Sequence, residues 1–183
     1  MNWRDPLDPA RLAGMFRLIA DLGTVEMPSL LTLIRHSKHK KVMRKEQSKS
    51  TVDPRINDQN FSNPSRVLKL GDRLQVRLFT VVGYASPDES LAFLKLQGAV
   101  FTGVQGAALV YEQKRYVLPK MVRCYSFDEQ DRLWVDPADG SHRTLVPSVI
   151  AVTDIQFCLH LSSFHEHLHP TDNALLCFGE IAP

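Results

Sequence analysis

The chain has 183 residues, of which 44% are hydrophobic and 23% charged; this is ordinary globular usage, which argues against a fibrous or wholly disordered chain and allows a core without staples. Its three cysteines, Cys124, Cys158 and Cys177, are widely spaced and include no CxxC pair, so they support neither a zinc ribbon nor a thioredoxin-type site and favour a reducing compartment. The net charge of +2 is uneven: residues 35–49 hold seven Lys/Arg and one Glu, a local +6, leaving 15 Lys/Arg against 19 Asp/Glu, or −4, elsewhere.

The first predicted element is a helix. Asp8 supplies a cap and Pro9 suits the first turn, while Leu12, Met15, Phe16, Ile19 and Leu22 follow a 3.6-residue period. Gly23 is its expected stop. Asp5 and Asp8 stand where a signal peptide would carry positive charge. No stretch approaches the roughly 20 apolar residues of a spanning helix, so the expected location is cytosolic.

A second helix is predicted from Pro28, apolar through Leu30, Leu31, Leu33 and Ile34, then strongly basic. Arg35, Lys38, Lys41 and Lys45 share a broad helical face there, and Lys40, Arg44 and Lys49 extend it. Such a local field recruits polyanions whatever the global charge. Seven cations could supply most of a non-specific nucleic-acid affinity. The bland alternative is a solvated helix face. No aromatic interleaves the cluster, so base stacking is not indicated. An anionic lipid is a lesser alternative, through the Leu/Ile-rich start of this helix.

Residues 1–48 thus read as a helical, basic N-terminal region. Residues 49–65, polar and broken by Pro54 and Pro64, read as a linker or mobile loop. Residues 66–183 read as a β-rich globular domain. The hydrophobic period there drops to two: Leu74, Val76, Leu78 and Thr80 alternate with Arg73, Gln75, Arg77 and Phe79, a strand. Ser86-Pro87-Asp88-Glu89 is a capping box opening a helix that Gly98 ends.

Short apolar segments from Val100 onward, separated by turn signals that include Gly103 and Gly106, predict a meander. Its strongest hairpin joins Leu133–Val135 to Arg143–Val146 across Pro137-Ala138-Asp139-Gly140. Short turns imply antiparallel pairing. The expected class is α+β: N-terminal helices followed by an antiparallel β meander or partial barrel with one intervening helix.

Four of the seven histidines fall between Cys158 and Pro170. On a strand, His165, His167 and His169 share one side; on a helix, His165 and His169 lie one turn apart. Either arrangement suits zinc or another late first-row metal, and Cys158 and His160 could add ligands. There is no HExxH, and the competing reading is a solvated His-rich loop. Cys124 with His142 is a conceivable nucleophile–base pair, against a buried, inert thiol.

Three functions follow from these features. The first is a non-enzymatic binding protein whose basic helix contacts nucleic acid or another polyanion. The second is a protein-interaction or self-assembly module using the apolar face of the first helix. The third is a metal-dependent enzyme centred on His165–His169; otherwise no cofactor is expected.

Overall fold

The computed structural model describes residues 7–28, 50–57, 59–137, 144–164 and 167–181. The predicted second helix, apart from its first residue Pro28, lies outside them. Among the described residues no helix is long and apolar enough to cross a membrane.

The first helix is shorter than its apolar spacing suggests. Asp8 accepts the Ala10 N–H and Pro9 opens α1 (Pro9–Met15), but the chain turns extended at Phe16. Residues Phe16–Glu26 form a strand, β1, rather than more helix. The physical reason is a pair of irregularities. The register of β1 against β3 (Arg73–Val81) slips between Leu18 and Ala20 and again between Asp21 and Gly23. Each slip inserts a residue without a partner, so strict alternation fails along β1: Phe16 packs into the core on one face of the sheet and Leu22 and Val25 into the core on the other, and the apolar spacing imitates a helix. Gly23, at φ 71°, is not a helix stop. It takes the left-handed backbone at the second slip, where the Asp21 carboxylate accepts its N–H at 2.8 Å. Leu12, Phe16 and Leu22 are buried, so these members of the apolar face proposed for assembly are spent inside the fold.

The remaining strands are β2 (Thr51–Val52), β4 (Arg123–Tyr125), β5 (Trp134–Val135), β6 (Thr144–Ala151), β7 (Phe157–Ser163) and β8 (Asn173–Glu180). They build one open sheet in the order β1-β3-β8-β4-β6-β7-β2, with β5 paired to β6. The expected antiparallel pairing is present, Trp134 opposite Leu145 and Val135 opposite Thr144, while the Asp139-Gly140 turn lies outside the described residues. The sheet is mostly antiparallel, as expected, but two pairs, β4–β8 and β2–β7, are parallel. Both join segments far apart in sequence, which short-turn reasoning does not reach. Thr51 and Val52, within the polar connection, pair with Cys158 and Leu159; nearby Ile56 is buried and Phe61 packs on Trp134.

Two layers flank the sheet. On one face lies α3 (Gly103–Gln113), over a core that includes Leu74, Val76, Leu78, Val149, Phe157, Leu159, Leu176 and Phe178. This segment was expected as meander. It is a helix buried through most of its length, and Gly106 is not a turn but a contact. A Cβ there would meet the Thr102 hydroxyl and approach the Phe178 ring at 2.7 Å. The opposite face carries a second core around Phe79, Val81, Leu175 and Cys177, covered by α2 (Pro87–Leu96). The capping box of α2 is complete: Glu89 N–H donates to Ser86 Oγ and Ser86 N–H to Glu89 Oε2. Glu89 also pairs with Arg11 at 2.7 Å, tying α1 to α2. The Phe93 ring stacks on Phe16 at 4.2 Å and meets Phe79 edge-on at 5.1 Å.

Candidate functional site

The α1–α2 layer covers only part of its face. Side-chain alternation along β7 puts Leu159 toward α3 and His160 and Ser162 on the other side. On β6 it likewise separates Val149 from Ser148 and Ile150. Of these outward positions His160, Ser162 and Ile150, with Arg123 from β4, form the floor of a cleft of about 500 Å3. Its rim comes from Asp53 and Arg55, which follow β2, and from Asp136, which follows β5.

Charge organises this cleft. The Arg55 guanidinium donates from Nε to Asp53 Oδ1 at 3.0 Å, from one terminal nitrogen to Asp53 Oδ2 at 2.7 Å, and from the other to Asp136 Oδ2 at 3.0 Å. Asp53 also accepts the Arg55 backbone N–H. The guanidinium therefore holds the Asp53 carboxyl below its ordinary pKa, against partial burial and with a smaller contribution from His160. Arg55 is correspondingly harder to deprotonate, first through its bond to Asp53. Beneath, the buried hydroxyls of Ser148 and Ser162 lie 3.0 Å apart, each meeting the other's hydrogen-bonding requirement.

Sequence reasoning missed most of this site. Asp53 and Arg55 sit in a stretch that reads as linker, and Asp136 is 81 residues away from Arg55. The one local signal is the interruption of an apolar strand by His160 and Ser162.

The residues singled out by sequence fall elsewhere. Arg35, Lys38, Lys40, Lys41, Arg44, Lys45 and Lys49 lie outside the described residues, as do His165 and His142. His167 and His169 are exposed on either side of buried Leu168, which bridges to Ala85. The His169 ring meets Tyr84 edge-on at 4.9 Å. Among the described residues no three His, Cys, Asp or Glu side chains converge as a metal site. Cys158 accepts from the Thr51 hydroxyl at 3.2 Å. Burial pushes the Cys124 thiol up to about 12, the opposite of what activates a nucleophile.

No protein-family model matches this chain, and neither the curated proteins nor the solved structures hold a significant match to it.

Proposed function

We propose that this chain is a non-enzymatic binding protein whose basic segment, residues 35–49, contacts nucleic acid or another polyanion. The observation that carries the reading is the concentration of +6 in that segment of a chain that is otherwise −4. A field of that density attracts phosphate-bearing polymers before any shape is read.

The surroundings of the segment support the same reading. On its N-terminal side, the backbone N–H and C=O of Glu26 are both bonded by the Gln113 side-chain amide. On its C-terminal side, Ser50 hydrogen-bonds Tyr111. Both flanks therefore root at the last turn of α3, immediately before Lys114 and Arg115. Lys114 thus stands near the roots of the basic segment, whereas the Arg115 charge is paired with Glu112 at 3.6 Å.

The test is binding of labelled single- and double-stranded oligonucleotides across a salt series. Affinity is expected to fall steeply, with a log–log slope of about −0.9 per duplex phosphate neutralised. Reversing Lys40, Lys41, Arg44 and Lys45 to Glu should weaken binding similarly for all sequences and leave unfolding unchanged. A parent protein that binds nothing at low salt removes nucleic acid from the reading. Undiminished binding by the reversed variant moves the contact to another surface.

A further inference from the structure

The cleft on the sheet face has a chemistry unlike that of the basic segment. Two carboxylates, Asp53 and Asp136, and two guanidinium groups, Arg55 and Arg123, line the cleft around a floor containing His160 and Ile150, with Arg55 bonded to both carboxylates. The formal charges of these four groups cancel. An anion in the cleft would meet the carboxylates, and a cation would meet the guanidinium groups, so neither sign gains by entering. Yet the lining is rich in hydrogen-bonding capacity. Carboxylates only accept and guanidinium groups only donate, whereas imidazole and serine hydroxyls do both. Three of the five Arg55 N–H groups already reach Asp53 and Asp136 through its side chain, which fixes the acceptors and donors in place before any ligand arrives. Ile150 adds an apolar side chain on the cleft side, while Leu145 and Leu161, at the alternate positions of their strands, only border the cleft.

We propose that this cleft, with Asp53, Arg55, Arg123, Asp136 and His160 in its wall, binds a small uncharged polyhydroxylated ligand of the saccharide class. A hydroxyl group donates and accepts at once, so neighbouring hydroxyls of a sugar ring match adjacent acceptor-only and donor-only groups without bringing an uncompensated charge. The carbon skeleton of the ring would lie against Ile150. A volume of about 500 Å3 falls within the range of small-ligand clefts, roughly 300–1,000 Å3. Ordering of the wall by the Arg55 bridge lowers the cost of binding, because less side-chain freedom remains to be lost. This site is independent of the basic segment and uses none of its residues.

The experiment is ligand-observed saturation-transfer NMR on the full chain, followed by titration, with glucose, maltose and lactose as neutral probes. Glucose 6-phosphate and glucosamine serve as anionic and cationic counterparts of one ring. At least one neutral sugar is expected to bind, and more tightly than either charged counterpart. Arg123→Gln and His160→Gln should each weaken that binding by about tenfold, equivalent to about 1.4 kcal/mol. Melting of both variants is measured alongside; if Arg123→Gln fails to fold, His160→Gln carries the comparison. The Lys40, Lys41, Arg44 and Lys45 reversal should leave sugar binding intact, separating this site from the polyanion reading. The proposal is overturned if no neutral probe shows transfer, if glucose 6-phosphate or glucosamine binds more tightly than every neutral sugar, or if folded cleft variants bind as the parent does. Those results would leave the Asp53–Arg55–Asp136 cluster as a strap holding the chain after β2 to the end of β5.

Discussion

The carboxyl of Asp128 is buried beside Gly103, accepting N–H groups from Ser65 at 3.2 Å and Glu129 at 2.9 Å on the same oxygen. Burial raises its pKa above the ordinary 3.8, and these bonds only partly oppose the rise. The folded state therefore holds the Asp128 proton more tightly than the unfolded chain does. The resulting stability is fully present below the unfolded pKa and is lost as pH rises through the folded value. Asp128→Asn keeps one oxygen for both N–H groups and removes the ionisation. Its stability relative to the parent should be most favourable near neutral pH, and the difference should shrink as pH falls toward about 4. Urea midpoints across that range check this; an advantage for Asn that grows on acidification would show that ionised Asp128 stabilises the fold. In sequence, Asp128, Glu129 and Asp131 look like one acidic turn. Only burial separates the first from its neighbours, and burial is not a local property.

Elements were legible where local chemistry alone decides them. The capping box at Ser86 and Glu89 announces α2, the alternation at Leu74–Thr80 announces β3, and the Asp139-Gly140 turn signal announces the pairing of Trp134 with Leu145. Legibility failed where packing overrides pattern. In β1 the two register slips convert a strand's spacing into a helix's. In α3 the glycines look like turn residues, but Gly106 is there because the helix presses on β8. The cleft was illegible for a third reason: its wall gathers from β2, β4, β5 and β7, with no spacing rule connecting them. The α3 reading makes a firm prediction. Gly106→Ala places a methyl group against the Phe178 ring and Thr102, whose buried hydroxyl has no hydrogen-bond partner among the described residues. Overpacking of this kind costs about 1–3 kcal/mol, more than alanine's helix propensity of about 1 kcal/mol returns. Urea denaturation should show net destabilisation; a variant as stable as the parent would mean that α3 sits further from the sheet.

At the scale of the molecule, the sheet is held together by its last strand in chain order. β8 pairs with β3 on one side and β4 on the other, so among the described residues it is the only link along the strand path between the β1–β3 pair and the β4-β6-β7-β2 group. Its side chains Leu176 and Phe178 belong to the core under α3, and Leu175 and Cys177 to the core under α2. A chain ending at residue 172 should therefore lose cooperative unfolding altogether, rather than show a modest drop in stability. Calorimetry on that truncation would decide; a single sharp transition would mean that the two halves cohere without β8. The same arrangement has a consequence during synthesis. Residues emerge at about 5–20 per second, and until residue 180 leaves the ribosome the β1–β3 pair and the β4 group each present an unpaired strand edge where β8 belongs. The nascent chain thus passes through an interval in which two sheet edges and two half-built cores are open at once, and it is in that interval, more than in the finished fold, that a chaperone would find something to hold.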